Sequence, residues 1–177
     1  TVVAGNCGFT IAPTRAADRE TIALTLEKVE DMNPASLMAG IPWDFETFPE
    51  YLASVEKRGT VLNYSTYIGH TALRLFHMGA AAYEREATEA ETRAMARSVR
   101  EAMEAGAVGL ATSRAPTHVG IGGKPVCSRL AAISEFETMA QELATLGRGV
   151  IASTLGSGFA YDEVYAFRSE ERRVGKE

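Results

Sequence analysis

Apolar residues recur along this chain in two alternating rhythms, short continuous runs and helical stripes. Thr1–Ala4 is a β-branched, apolar run that reads as a strand buried on both faces. From Asp18 to Val29, Ile22, Leu26 and Val29 fall on one helical face, and Pro34 to Trp43 reads as a loop from its proline and glycine content. Thr47-Phe-Pro-Glu50 is a capping box with proline in the first turn, opening a helix through Phe48, Leu52 and Val55 that Gly59 stops. Thr60 to Ile68 is a second strand and Thr71 to Met78 a short helix over its exit. Thr88 to Glu91 caps a longer helix with a Met95, Val99, Met103 stripe, read as core packing, that ends at Gly106. Ala107 to Thr112 is a third strand and Ser113 to Leu130 a glycine-rich loop. Ser134 to Glu137 caps a further helix, with Phe136, Met139, Leu143 and Leu146 inward, and Gly149 to Thr154 is a fourth strand.

Strand, loop and helix in repeated succession predict parallel βαβ units. Gly5-Asn-Cys-Gly8 lacks the spacing of a dinucleotide-binding turn, so a doubly wound nucleotide-binding sheet is poorly supported. A (β/α)8 barrel takes about 250 residues, and the chain has 177. The expected fold is therefore α/β, a partial (β/α)8 TIM-type barrel of about four parallel strands.

Composition narrows the functional classes. The chain is 46% hydrophobic and 23% charged with a net charge of −5, the profile of a globular domain. No Lys/Arg stripe suggests a nucleic-acid surface. No apolar run reaches the roughly 18 residues of a membrane helix. Two distant cysteines, Cys7 and Cys127, make no disulfide framework, and a reducing, cytoplasmic setting is expected. The chain opens inside a strand, with no methionine or cap ahead of it, so an internal stretch of a longer protein is expected. Residues 1–167 are taken as the partial barrel. The charged, aperiodic run 168–177 is set apart as a non-native-looking tail, and removing it should shift stability little.

Chemistry in a barrel gathers at the carboxyl ends of the strands. Cys7 stands there, between two glycines. It reads either as a functional thiol or as a small buried hydrophobe. A nucleophilic Cys7 with His70 and Asn6 as partners is a weaker alternative, since no cysteine-protease pattern surrounds it. His70 follows a strand and a glycine and either faces the mouth or bonds the short helix beside it. Arg74, one turn on, suits a structural ion pair, and His77 reads as a surface or packing residue. Ser113, Arg114, Thr117 and His118 crowd the exit of the third strand. The planar fork of Arg114 matches a carboxylate, but it could equally hold the glycine-rich loop.

TVVAGNCGFTIAP, NYSTYIGHTALR (Asn63 to Arg74) and AGAVGLATSRAPTH (Ala105 to His118) together resemble the N-acyl-D-amino-acid deacylases, or D-aminoacylases, of the amidohydrolase superfamily. The resemblance runs over roughly Thr1 to Val150, starting after the second barrel strand and implying strands two to five. It implies hydrolysis of the amide of an N-acyl-D-amino acid, a C–N bond other than a peptide bond. It makes Cys7 a zinc ligand and places His70 beside the active site; with Ser113, Arg114 and His118 at the exit of the third strand, His70 completes the expected substrate-binding set. Zinc would belong to the complete protein and is not expected to be kept by this stretch alone. The strand-end lysine of many superfamily members is missing, as in the D-aminoacylase type. The resemblance breaks at Ala152-Ser153-Thr154-Leu155-Gly156, where the family's Thr-His pair is not found. The general base is expected outside Thr1 to Glu177. Two other readings stay open: a non-catalytic half-barrel or pseudoenzyme, and a related hydrolase of a cyclic amide or dipeptide. Unpaired sheet edges would also favour self-association.

Overall fold

The computed structural model describes residues 1–154. The boundary at residue 167 and the tail 168–177 lie outside the described residues. Five strand segments form: β1 (Val2–Ala4), β2 (Tyr64–Thr66), β3 (Ile68–Gly69), β4 (Gly109–Ser113) and β5 (Val150–Thr154). Every pairing between these strands is parallel, in the orders β1-β2 and β3-β4-β5. Only Tyr67 separates β2 from β3. Backbone bonds from Tyr67 N–H to the Ala4 carbonyl (3.0 Å) and from Val108 N–H to the Thr66 carbonyl (2.9 Å) make the two pieces one continuous stave. The described chain is thus α/β with parallel strands and intervening helices, and its sheet does not close on itself.

The helices are α1 (Arg19–Glu30), α2 (Pro34–Gly40), α3 (Phe48–Arg58), α4 (His70–Met78), α5 (Glu89–Ala105) and α6 (Ile133–Leu146). Two of the three expected capping boxes form, Thr47 with Glu50 and Thr88 with Glu91, each exchanging side-chain and backbone bonds. Burial follows the predicted stripes. Met95, Val99 and Met103 of α5 and Phe136, Met139 and Leu143 of α6 are buried with Ile68 and Leu110 of the sheet. A second apolar cluster joins Phe9, Ile22, Leu26, Leu75, Met78, Val126 and Cys127 between α1, α4 and the loop after β4.

Four expectations are corrected. The segment read as a loop from Pro34 contains α2, because Asn33 caps it by accepting from Ser36 N–H and Pro34 occupies the first turn. Helix α6 has no Ser134–Glu137 capping box; its N-cap is Ala132, two residues earlier, with no side-chain cap. Its first turn is fastened instead by Glu135, which is buried. Thr60 to Asn63 is not strand. Thr60 Oγ1 donates to the Leu62 carbonyl at 2.7 Å and Val61 projects fully into solvent. Finally, β1 is not buried on both faces: Val2 is 42% and Val3 49% exposed, because among the described residues only β2 lies beside it.

Candidate functional site

The segment after β1 folds across the carboxyl ends of the neighbouring strands, and two glycines allow it. Gly8 has φ +86°, and a Cβ there would stand 2.7 Å from the Thr112 carbonyl carbon and 2.9 Å from Ser113 N. Neither that conformation nor that approach suits an L side chain. At Gly69 a Cβ would meet the Gly8 carbonyl oxygen at 2.7 Å. Thr71 N–H donates to the Gly8 carbonyl (3.4 Å) and Gly69 N–H to Thr10 Oγ1 (3.2 Å). The loop carrying Cys7 is therefore pinned over the ends of β3 and β4, where the strand order alone predicts chemistry.

Cys7 is half-buried, and its thiol donates to Glu30 Oε1 at 3.0 Å from the last turn of α1. Burial, and then the Glu30 hydrogen bond, push the thiol up to about 11, so it is protonated near neutrality. Ser113, at the end of β4, places Oγ 2.6 Å from His118 Nδ1 and also accepts from Ala115 N–H at 3.3 Å. His118 stands edge-on to Phe9, with ring centroids 5.3 Å apart. Its pKa lies below the usual imidazole range: burial lowers it, the Glu30 carboxylate opposes this, and Arg129 adds to the lowering. Glu30 is thus the charge that Cys7 and His118 share. Among the expected residues, Ser113 and His118 are bonded to each other, and Cys7 is carried to the same rim by the Gly8 contact.

His70 belongs to a different network. It is buried, with Nδ1 2.8 Å from Thr112 Oγ1 and Nε2 2.8 Å from Glu135 Oε1. Arg74, also buried, pairs with the other Glu135 oxygen and donates to the carbonyls of Arg85 (2.7 Å) and Ala82 (3.4 Å). This is the structural ion pair its position suggested. Burial lowers the His70 pKa; Glu135 opposes that, while Arg74 and Arg114 reinforce it. Burial also works against the Glu135 charge, but the bond from His70 and the Arg74 guanidinium outweigh it and hold the carboxyl below its usual range. Arg114 points its guanidinium at the Ala131 carbonyl (2.9 Å), bracing the loop ahead of α6.

Sequence reasoning missed Glu30 and Glu135. For Glu135 a signal existed: His70 and Arg74, four apart, lie on one face of a helix whose residues are nearly all buried, and two basic groups there require a carboxylate. Nothing comparable marks Glu30. Among the described residues no group of three or more His, Cys, Asp or Glu could hold a metal ion. Cys7 with Glu30 falls short of the three or four protein ligands zinc takes. The described residues therefore do not build a zinc site by themselves.

No protein-family model matches the chain. An N-acyl-D-aspartate deacylase of Alcaligenes xylosoxydans xylosoxydans is 35% identical over 112 residues, 63% of this chain and 20% of that protein. A D-aminoacylase of the same organism is 32% identical over 112 residues, again 63% of this chain and 20% of the relative. The chain thus spans about a fifth of the length of these curated relatives. Among solved structures, the N-acyl-D-glutamate deacylase from Bordetella bronchiseptica, complexed with zinc and a phosphonate mimic of the tetrahedral intermediate, superposes with a TM-score of 0.60. It is 28% identical and covers 86% of this chain and 27% of its own. A D-aminoacylase described as defining a novel subset of amidohydrolases gives a TM-score of 0.62 at 25% identity, over 99% of this chain and 32% of its own. The chain is homologous to the D-aminoacylases and N-acyl-D-amino-acid deacylases of the amidohydrolase family, matching 20 to 32% of their length.

Proposed function

We propose that this chain forms one wall of the active site of a hydrolase that cleaves the amide of an N-acyl-D-amino acid. The observation that carries the reading is the Gly8 contact, which sets the Cys7 loop on the ends of β3 and β4 beside Ser113 and His118. Homology to deacylases whose solved relative holds zinc and a reaction-intermediate mimic supports it. In this reading Cys7 gives one ligand to a zinc site whose other ligands lie outside the described residues. A metal would replace the thiol proton, since coordination deprotonates cysteine. The Ser113–His118 pair faces the substrate. Arg114 braces the loop that carries His118, and it reaches the substrate carboxylate only by releasing the Ala131 carbonyl. His70 supports the strand ends from below. The setting is reducing and cytoplasmic, consistent with two free thiols.

A chimaera tests this. Residues 1–154 replace the homologous stretch of the N-acyl-D-aspartate deacylase, which supplies everything before and after. The chimaera is expected to retain zinc and hydrolyse N-acyl-D-aspartate. Cys7→Ala should remove both properties, and Cys127→Ala, whose thiol is fully buried and donates to the Thr71 carbonyl, should leave both. A folded chimaera as active with Cys7→Ala as without it contradicts the reading.

A further inference from the structure

His70 is gripped on both edges of its ring, by Glu135 from α6 and by Thr112 from β4, each at 2.8 Å. Arg74, one turn along α4, occupies the second oxygen of Glu135. An ionised carboxylate can only accept, so the ring proton stands on Nε2. In a neutral imidazole Nδ1 is then an acceptor, and the Thr112 hydroxyl donates to it. Thr112 precedes Ser113 directly. The Ser113 hydroxyl lies 2.6 Å from His118 Nδ1, and Gly8 packs on the peptide between Thr112 and Ser113. Two donors, the His70 Nε2–H and the Arg74 guanidinium, converge on one side chain at position 135. Glutamine offers a single acceptor oxygen and would leave one of them unmet.

We propose that Glu135 is a positioning residue: by accepting the hydrogen bond from Nε2–H it fixes the tautomer of His70, and through the Thr112 hydroxyl that tautomer sets the end of β4 that carries Ser113, to which His118 is bonded. The three elements α4, β4 and α6 are thereby locked at one point beneath the rim. This deepens the deacylase reading, and rests on it only in taking Ser113 and His118 as substrate-facing.

The test is long-range proton–nitrogen correlation spectroscopy of the 177-residue chain labelled with 15N-histidine, in which only three histidines contribute. The native chain near pH 7 is expected to show His70 as a single neutral Nε2–H tautomer and His118 with an Nδ1 signal set by its hydrogen bond to the Ser113 hydroxyl. Glu135→Ala should turn the His70 signal into a mixture of tautomers. Thr112→Val should keep His70 as Nε2–H but shift the Nδ1 signal of His118. An Nδ1–H His70 in the native chain overturns the proposal whether or not either variant folds. So does an unchanged His70 in folded Glu135→Ala, or an unchanged His118 in folded Thr112→Val. Failure of the deacylase reading would appear separately, as a folded but inactive chimaera with the histidine spectrum as expected.

Discussion

Replacing Arg74 by methionine keeps most of the buried side-chain volume and removes the charge that neutralises Glu135. The guanidinium is fully buried and serves three acceptors, Glu135 and the carbonyls of Arg85 and Ala82. Breaking a buried pair from one side costs about 3–5 kcal/mol, because the remaining charge stays buried without compensation. Against a typical total of about 5–15 kcal/mol, that is a large share of the stability of a small domain. The loss should also depend on pH in a defined direction. In the native chain His70 has a depressed pKa, so its contribution is complete above the ordinary value near 6.5 and is lost progressively as pH falls below it toward the depressed folded value. Without Arg74 the cation that disfavours a charged His70 is gone and Glu135 remains, so His70 takes up a proton in the folded state and restores part of the pairing. The deficit of Arg74→Met should therefore be greater at pH 8 than at pH 5.5. Urea unfolding followed by the fluorescence of Trp43, the single tryptophan, measures both values. A deficit below about 1 kcal/mol, or one equal at the two pH values, would mean that the triad is solvated and the argument wrong.

With metal chelated, Cys7 should alkylate about 100-fold more slowly at pH 8 than an unperturbed thiol, given a pKa of about 11 against 9.0. Glu30→Gln should speed the reaction, and Cys127, buried and pushed up to about 12, should stay unreacted in the folded chain. Equal rates for Cys7 and a free thiol would show that the Glu30 contact does not persist. Gly8→Ala should destabilise more than Gly122→Ala: both have positive φ, but only Gly8 meets backbone, at 2.7 Å. The strain alone is about 1–3 kcal/mol, and thermal unfolding of the two variants isolates the contact. Exposed Val2 and Val3 on β1 and Val150 on β5 should make the chain bind a hydrophobic dye or self-associate. A monodisperse monomer that binds no dye would count against this.

What could be read in the sequence depended on how local the cause was. The capping boxes at Thr47 and Thr88 and the Met95–Val99–Met103 stripe are set by neighbours within two turns, and they form as expected. The parallel strands follow from the alternation of strands with helices, and Cys7, Ser113 and His118 were marked by their place at strand ends. Glu135 went unrecognised because its partners lie 61 and 65 residues away, and a Ser-Glu-Phe-Glu string carries the same letters whether it caps a helix or fastens a buried pair. The exposure of β1 was equally illegible. Thr1–Ala4 has the composition of a central strand, and exposure depends on which neighbours are present, which no run of four residues records.

Cobalt substitution of the chimaera gives the most direct test that Cys7 belongs to a metal-bearing rim. Thiolate coordination to cobalt produces a charge-transfer absorption that imidazole and carboxylate ligands do not. That band is expected in the chimaera carrying residues 1–154, with its loss in Cys7→Ala and its retention in Cys127→Ala. A cobalt-loaded chimaera without the band, or with the band intact in Cys7→Ala, would contradict that placement of Cys7.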